Sequence, residues 1–183
     1  GRVQFGLSVR DSSIADVSSS NGFEIDNNNQ SPVNFNNPRT KPIFSNMTVV
    51  GPFITTSSTV NPLFQRGAHL RRNMLASIYN SIIMGWKTGV RFDGAGVGDA
   101  SQYDTIQLRN NIFAGNIRLA DSTGTGAFAP QAWLQNGSFG NTVADRLIGL
   151  APKKIIIYSR DEKKQLDMRN RYDDNPLLRF IIG

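Results

Sequence analysis

The sequence predicts an all-β fold, a right-handed parallel β-helix, on three observations. First, Gly67-Ala-His-Leu-Arg71 and Gly89-Val-Arg-Phe-Asp93 share one form, Gly, apolar, polar, apolar, charged, and lie 22 residues apart. Gly22-Phe-Glu-Ile-Asp26 is a further copy. Second, Ile43–Gly51, Ser77–Gly85 and Gln107–Gly115 each carry an Asn five residues before a Gly, with an apolar residue two before the Asn. Third, the apolar residues alternate with polar ones, the period of two of a half-buried strand. Self-similarity at this period marks a solenoid or an array. Helical repeats would need two amphipathic stretches of ten or more residues per unit, which 22 residues cannot hold.

Each element follows from this scheme. Val3–Val9 alternates and begins at once, so it reads as a strand entering mid-repeat. Its free edge is expected to pair with N-terminal rungs or with a neighbouring subunit, because an uncapped solenoid exposes pairing edges. This makes the chain a C-terminal portion of a longer coil. Residues 11–21 and 27–40 read as polar loops, the second lengthening the first rung to 45 residues. Gly51 to Gly67 carries a further loop in which Phe53 and Phe64 look exposed, and Gly94–Ser101 reads as flexible. Asn46, Asn80 and Asn110 are expected at coil corners, since Asn tolerates the left-handed conformation, with their amides stacked as an inward ladder. Rungs with loop insertions then fill 1–120. Residues 121–183 form an irregular lid and tail, with Trp133 and Phe139 laid across the coil. In that tail Ile155–Tyr158 reads as a strand and Asp161–Tyr172 as a charged helix.

Composition bounds the function. The 183 residues make one domain, or one with an appendage, and carry a net charge of +6 without cysteine. That excludes disulfide frameworks and cysteine-based metal or redox sites. No run is long and apolar enough to cross a bilayer. The basic balance points to a polyanion, but Arg71-Arg72 and Lys153-Lys154 are too few for a nucleic-acid interface.

The segments SSSNGFEIDN, PRTKPIFSNMTVVGP and HLRRNMLASIYNSIIMGWKTGVRFDG resemble a family of secreted or surface right-handed parallel β-helix proteins of Bacteroidetes, over roughly residues 2–116. The resemblance implies a pectate-lyase-like coil and a secreted or outer-membrane-associated location, with no established activity. It also implies O-glycosylation at Asp-Ser/Thr motifs, which places candidate acceptors at Thr105 and Ser122. The tail after Asp145 matches that family poorly.

Aligning the Gly-led strands puts Glu24, His69 and Arg91 in one column and Asp26, Arg71 and Asp93 in the next. Rungs lie about 4.8 Å apart, so neighbours in a column can pair. With Tyr79 and Arg109 from the second strand type, this face is the candidate glycan-binding surface. Paired carboxylates there could act as acid and base, which keeps a polysaccharide lyase or glycoside hydrolase as the alternative to a structural, adhesive or glycan-binding role. Solvated ion pairs explain the columns better, because an Asp–Arg–Asp column neutralises itself. His69 is the one histidine, without a second His or Cys to share a metal. Asp26-Asn-Asn-Asn29 could offer oxygens to calcium, and a corner loop explains it as well. No other cofactor is expected, the partners are a polysaccharide or another surface protein, and the balance leans away from an enzyme.

Overall fold

The structure is a computed structural model, and it describes residues 1–29, 32–145, 155–159, 163, 166, 170, 176 and 178–182. The chain divides into two compact units, Gly1–Asp145 and Arg146–Gly183.

In the first unit the chain makes successive turns of three short strands. They run β1 (Arg2–Gln4), β2 (Leu7–Val9), β3 (Ser20–Ile25), β4 (Ile43–Ser45), β5 (Thr48–Val50), β6 (Phe64–Arg71), β7 (Ser77–Tyr79), β8 (Ile82–Met84) and β9 (Thr88–Asp93). Helix α1 (Ala95–Gln102), β10 (Gln107–Arg109), β11 (Ile112–Ala114), β12 (Arg118–Thr123), helix α2 (Pro130–Leu134) and β13 (Thr142–Ala144) complete it. Like strands of each turn pair in parallel, giving three sheets: β1-β4-β7-β10, β2-β5-β8-β11-β13 and β3-β6-β9-β12. Inward residues stack in columns, Phe44–Ile78–Leu108 in one sheet and Val49–Ile83–Phe113 in another. The buried core runs through them to Trp86, Leu70 and Phe92. At the edge formed by β1 and β2, Val3, Phe5, Leu7 and Val9 are exposed. Toward the other edge α2 packs on β12, and Trp133 meets Phe92, Phe128 and Phe139 edge-on.

Four expectations are corrected. The chain is not an all-β right-handed coil with an irregular appendage. Among the described residues of the first unit two α-helices accompany the parallel sheets, and in the second unit β14 (Ile155–Ser159) and β15 (Leu178–Ile182) pair in parallel, with residues 163, 166 and 170 helical between them. Parallel neighbours need a crossover of a dozen or more residues, usually a helix, so this second unit has α/β character. Gly94–Ser101 is not flexible: Gly94 turns the chain at φ 100°, and α1 then buries Gly96, Val97 and Gly98. Phe64 is fully buried.

The fourth correction concerns the asparagines. Asn46, Asn80 and Asn110 all have left-handed φ values, 54°, 49° and 55°, at equivalent corners, but all three are exposed. A residue in that conformation turns the chain, and it is the following residue whose side chain points inward. The inward series is therefore Met47, Ser81, Asn111 and Asn141. Ser81 Oγ accepts from the Met47 N–H at 3.0 Å, Asn111 Oδ1 from the Ser81 N–H at 2.9 Å, and Asn141 Oδ1 from the Asn111 N–H at 3.0 Å. The amide nitrogens of Asn111 and Asn141 donate to the carbonyls of Ile78 and Leu108, each at 2.9 Å. A second inward amide, Asn116, accepts from the Trp86 N–H and donates to the Ile83 carbonyl.

Candidate functional site

The charged face is built by the third sheet. Its register sets Glu24, His69, Arg91 and Asp121 in one column, and Arg71 beside Asp93 in the next. Alternation in β6, β9 and β12 sends Leu70 and Phe92 to the core and these groups outward. Arg71 donates to Glu24 at 2.9 Å and lies 3.5 Å from Asp26, and Arg72 donates to Asp26 at 2.9 Å. Arg91 forms a fork on Asp121 with two 2.6 Å hydrogen bonds, and Arg118 reaches the same carboxylate at 3.3 Å. Two such parallel bonds make this the best-directed pair of the face. Burial is the largest influence on the Asp121 pKa and would raise it, but the Arg91 hydrogen bonds and the charges of Arg91, Arg118 and Arg66 together hold the carboxylate below its usual range.

Tyr79 and Arg109 stand elsewhere, in the first sheet, where Tyr79 donates to Gln107 and Arg109 pairs with Asp104 and lies over the Phe139 ring. The candidate face thus splits in two. Thr105 is exposed in the turn after α1, whereas Ser122 is half-buried inside β12 opposite Phe92. Of the calcium candidates, Asp26 meets Arg72 and Arg71 and Asn27 Oδ1 accepts from the Thr40 N–H, whereas Asn28 donates its amide to Asn34 and its Oδ1 is buried without a hydrogen bond. Among the described residues no three His, Cys, Asp or Glu groups converge as a metal site. No helix among them is long and apolar enough to cross a membrane.

His69 is the most deeply buried member of the face, with 7% of its side chain exposed and Nε2 3.1 Å from Asp93 Oδ2. Burial first, and then the Arg66 charge, hold its pKa below the ordinary value, against the opposing Asp93 hydrogen bond. The unfolded chain therefore takes up this proton first, and stability should fall as pH drops from about 6.5 through the lower folded value. Urea midpoints of the wild type and His69→Gln at pH 7.5, 6.5 and 5.5 check this. The wild type should lose more than the variant, and parallel curves would refute the assignment.

Sequence reasoning missed Arg66 and Asp121. The signal for Asp121 was present: Ile117-Arg-Leu-Ala-Asp121 continues the Gly-led strand series one turn after Arg91, without its glycine.

Comparison with known proteins bears on the other end of the chain. The model of a family described as polysaccharide biosynthesis protein matches residues 135–182. UDP-glucose 4-epimerase of Rickettsia rickettsii (strain Sheila Smith) is 53% identical over 51 residues, 26% of this chain and 15% of that enzyme. UDP-N-acetylglucosamine 4,6-dehydratase (inverting) of Campylobacter jejuni subsp. jejuni serotype O:23/36 (strain 81-176) is 48% identical over 48 residues, 26% of this chain and 14% of that enzyme. The chain thus spans a small part of the length of these relatives. No solved structure matches it significantly.

These similarities overturn the resemblance to a Bacteroidetes surface family and what was drawn from it. The secreted or outer-membrane location falls, as do the structural, adhesive and glycan-binding roles and the lyase or hydrolase alternative. The basis for modification at Thr105 and Ser122 goes with them. The relatives are enzymes by name.

Proposed function

We propose that residues 135–182 give this chain a part in nucleotide-sugar epimerisation or dehydration for polysaccharide biosynthesis. The observation that carries this reading is the parallel pair β14–β15, with helical residues between, inside the stretch similar to those enzymes. In open α/β sheets, ligands bind beyond the carboxyl ends of parallel strands. Ser159 ends β14. In the sequence Arg160 and Asp161 follow it, Asp161 standing 21 residues after Gly140. An acidic residue about 20 residues past a glycine turn is the pattern that holds the ribose of a dinucleotide, and a neighbouring Arg suits a 2′-phosphate.

The glycine turn itself does not fit a dinucleotide pyrophosphate as folded. Such a cradle needs free backbone N–H groups at a turn that opens a helix. Here Asn136 Oδ1 accepts from the Ser138 N–H, the Asn136 carbonyl from Phe139 and the Gly137 carbonyl from Gly140. The following residues are strand β13, paired to β11. Titrating the full chain with UDP-glucose, NAD and NADP by calorimetry tests the reading. Binding of at least one below about 1 mM is expected, weakened about tenfold by Arg160→Ala with Asp161→Ala. No binding of any of the three, or binding indifferent to the double variant, overturns it.

A further inference from the structure

Among the described residues no strand lies beyond β1 in the first sheet or beyond β2 in the second, so both are open edges. The Ile43 and Thr48 N–H groups donate to the Gly1 and Gly6 carbonyls, and the Phe5 and Arg10 N–H groups donate to the Ser45 and Val50 carbonyls. Successive residues of a paired strand turn their backbone groups to alternate sides. Val3 and Ser8 are thus bonded to β4 and β5, while Arg2, Gln4, Leu7 and Val9 turn their N–H and C=O groups to the open side.

The side chains there are equally unpartnered. Val3 heads the inward column of Phe44, Ile78 and Leu108 but is 46% exposed, and Leu7 and Val9 are exposed as well. Between the two strands, Phe5 stands at the corner that Asn46, Asn80 and Asn110 occupy in later turns, with the same left-handed conformation at φ 58°. Asn takes that conformation readily and a bulky residue does not. Phe5 is 79% exposed, so little contact within the chain offsets the strain. Strain of this kind points to a functional surface.

We propose that this end of the stack is a homodimer interface in which β1 of each copy pairs antiparallel with β2 of the other. The two strands have three residues each on either side of the corner. A two-fold axis through the corner therefore lays Arg2 opposite the partner's Val9, Val3 opposite the partner's Ser8, Gln4 opposite the partner's Leu7 and Phe5 opposite the partner's Gly6. Two separate alternations agree on this register. In an antiparallel ladder, pairs that exchange both N–H···O bonds alternate with pairs that exchange none. Arg2 with Val9, and Gln4 with Leu7, bring open backbone groups together, whereas Val3 and Ser8 are both already bonded within their own stacks. The same register sets Val3 and Ser8 on one face, and both are inward residues, stacked on Phe44 and Val49. A slip of one residue breaks both agreements. Gly6 presents no side chain against the Phe5 ring, and no charge in the paired strands opposes a like one. The other end of the stack is covered: α2 packs on β12, and the Phe139 carbonyl accepts from the Asn110 N–H at 2.8 Å. The open end thus meets its own kind, and a two-fold contact closes at the dimer.

Sedimentation velocity and cysteine cross-linking of the full chain test this. The mass should double between about 1 μM and about 300 μM, as for a small interface. Phe5→Asn gives this corner the residue of the later ones. It should weaken the dimer at least about tenfold, with the melting temperature of the dilute monomer unchanged or raised. The chain has no cysteine, so Val3→Cys and Ser8→Cys report the register. Antiparallel pairs of the non-bonded kind lie about 4.5 Å apart between Cα atoms, within reach of a disulfide. Under mild oxidation a mixture of the two variants should give a covalent dimer, and neither alone should. A monomer throughout that range, growth beyond a dimer, a dimer indifferent to Phe5→Asn, or a mixture that cross-links no better than either variant alone overturns the proposal.

Discussion

Asn111→Leu is expected to destabilise the first unit by about 3 kcal/mol or more, while Asn80→Leu, one corner away, should cost little. Asn111 is 1% exposed, and its amide serves two turns at once. Oδ1 accepts from the Ser81 N–H and Nδ2 donates to the Ile78 carbonyl. Leucine nearly matches its volume and strips both contacts, leaving a buried donor and a buried acceptor unpaired, each at about 1–3 kcal/mol. Asn80 turns the chain at φ 49° with its amide in solvent. Replacing it costs only the left-handed strain of a branched residue, of order 1 kcal/mol. Urea unfolding followed by tryptophan fluorescence separates the two. Equal losses, or a larger loss at Asn80, would mean that the inward series is misassigned.

That contrast marks where sequence reading stopped. The spacing of Asn46, Asn80 and Asn110 ahead of glycines located the corners, because only a few residue types accept a left-handed φ. It did not tell which neighbour faces in. Periodicity fixes the repeat and leaves its phase open by one residue, and with side chains alternating, one residue is the whole difference between core and solvent. The columns Glu24–His69–Arg91 were legible since three Gly-led strands align without gaps. Arg66 was not, because it lies before Gly67 and outside the repeated five residues. Helix α1 hid behind the composition of Gly94–Ser101. Its glycines read as flexibility, but two of them are close approaches, Gly96 against Asn73 and Gly98 against Thr125. The C-terminal stretch carried its own pattern in Gly137-Ser-Phe-Gly140, the apolar run Ile155–Tyr158 and Asp161. The resemblance drawn on residues 2–116 does not reach this stretch, where the order is of a different kind.

Trp86→Ala should be the more damaging core substitution, at about 3–5 kcal/mol against a total of about 5–15 kcal/mol for a domain of this kind. Trp86 is fully buried, and its indole Nε1–H points to the Val49 carbonyl at 3.4 Å. The chain is shaped around the ring. Cβ atoms added at Gly22 and Gly67 would stand 3.1 Å from it, and one at Gly51 2.7 Å. Three glycines from two turns thus form a wall with no side chains to relax inward, so the space left by alanine would remain a cavity, and cavity volume sets the cost. Trp86→Phe should recover part of the loss by refilling that space without the N–H. From the other side, a Cβ on Gly51 overlaps the backbone oxygen of Gly85, which cannot rotate away, so Gly51→Ala should also destabilise although it adds only a methyl group. Denaturant midpoints for the three variants, read by far-ultraviolet circular dichroism, check the argument. A loss below about 1 kcal/mol for Trp86→Ala would mean that the glycine wall closes onto the vacancy and the ring does not set the spacing of the turns.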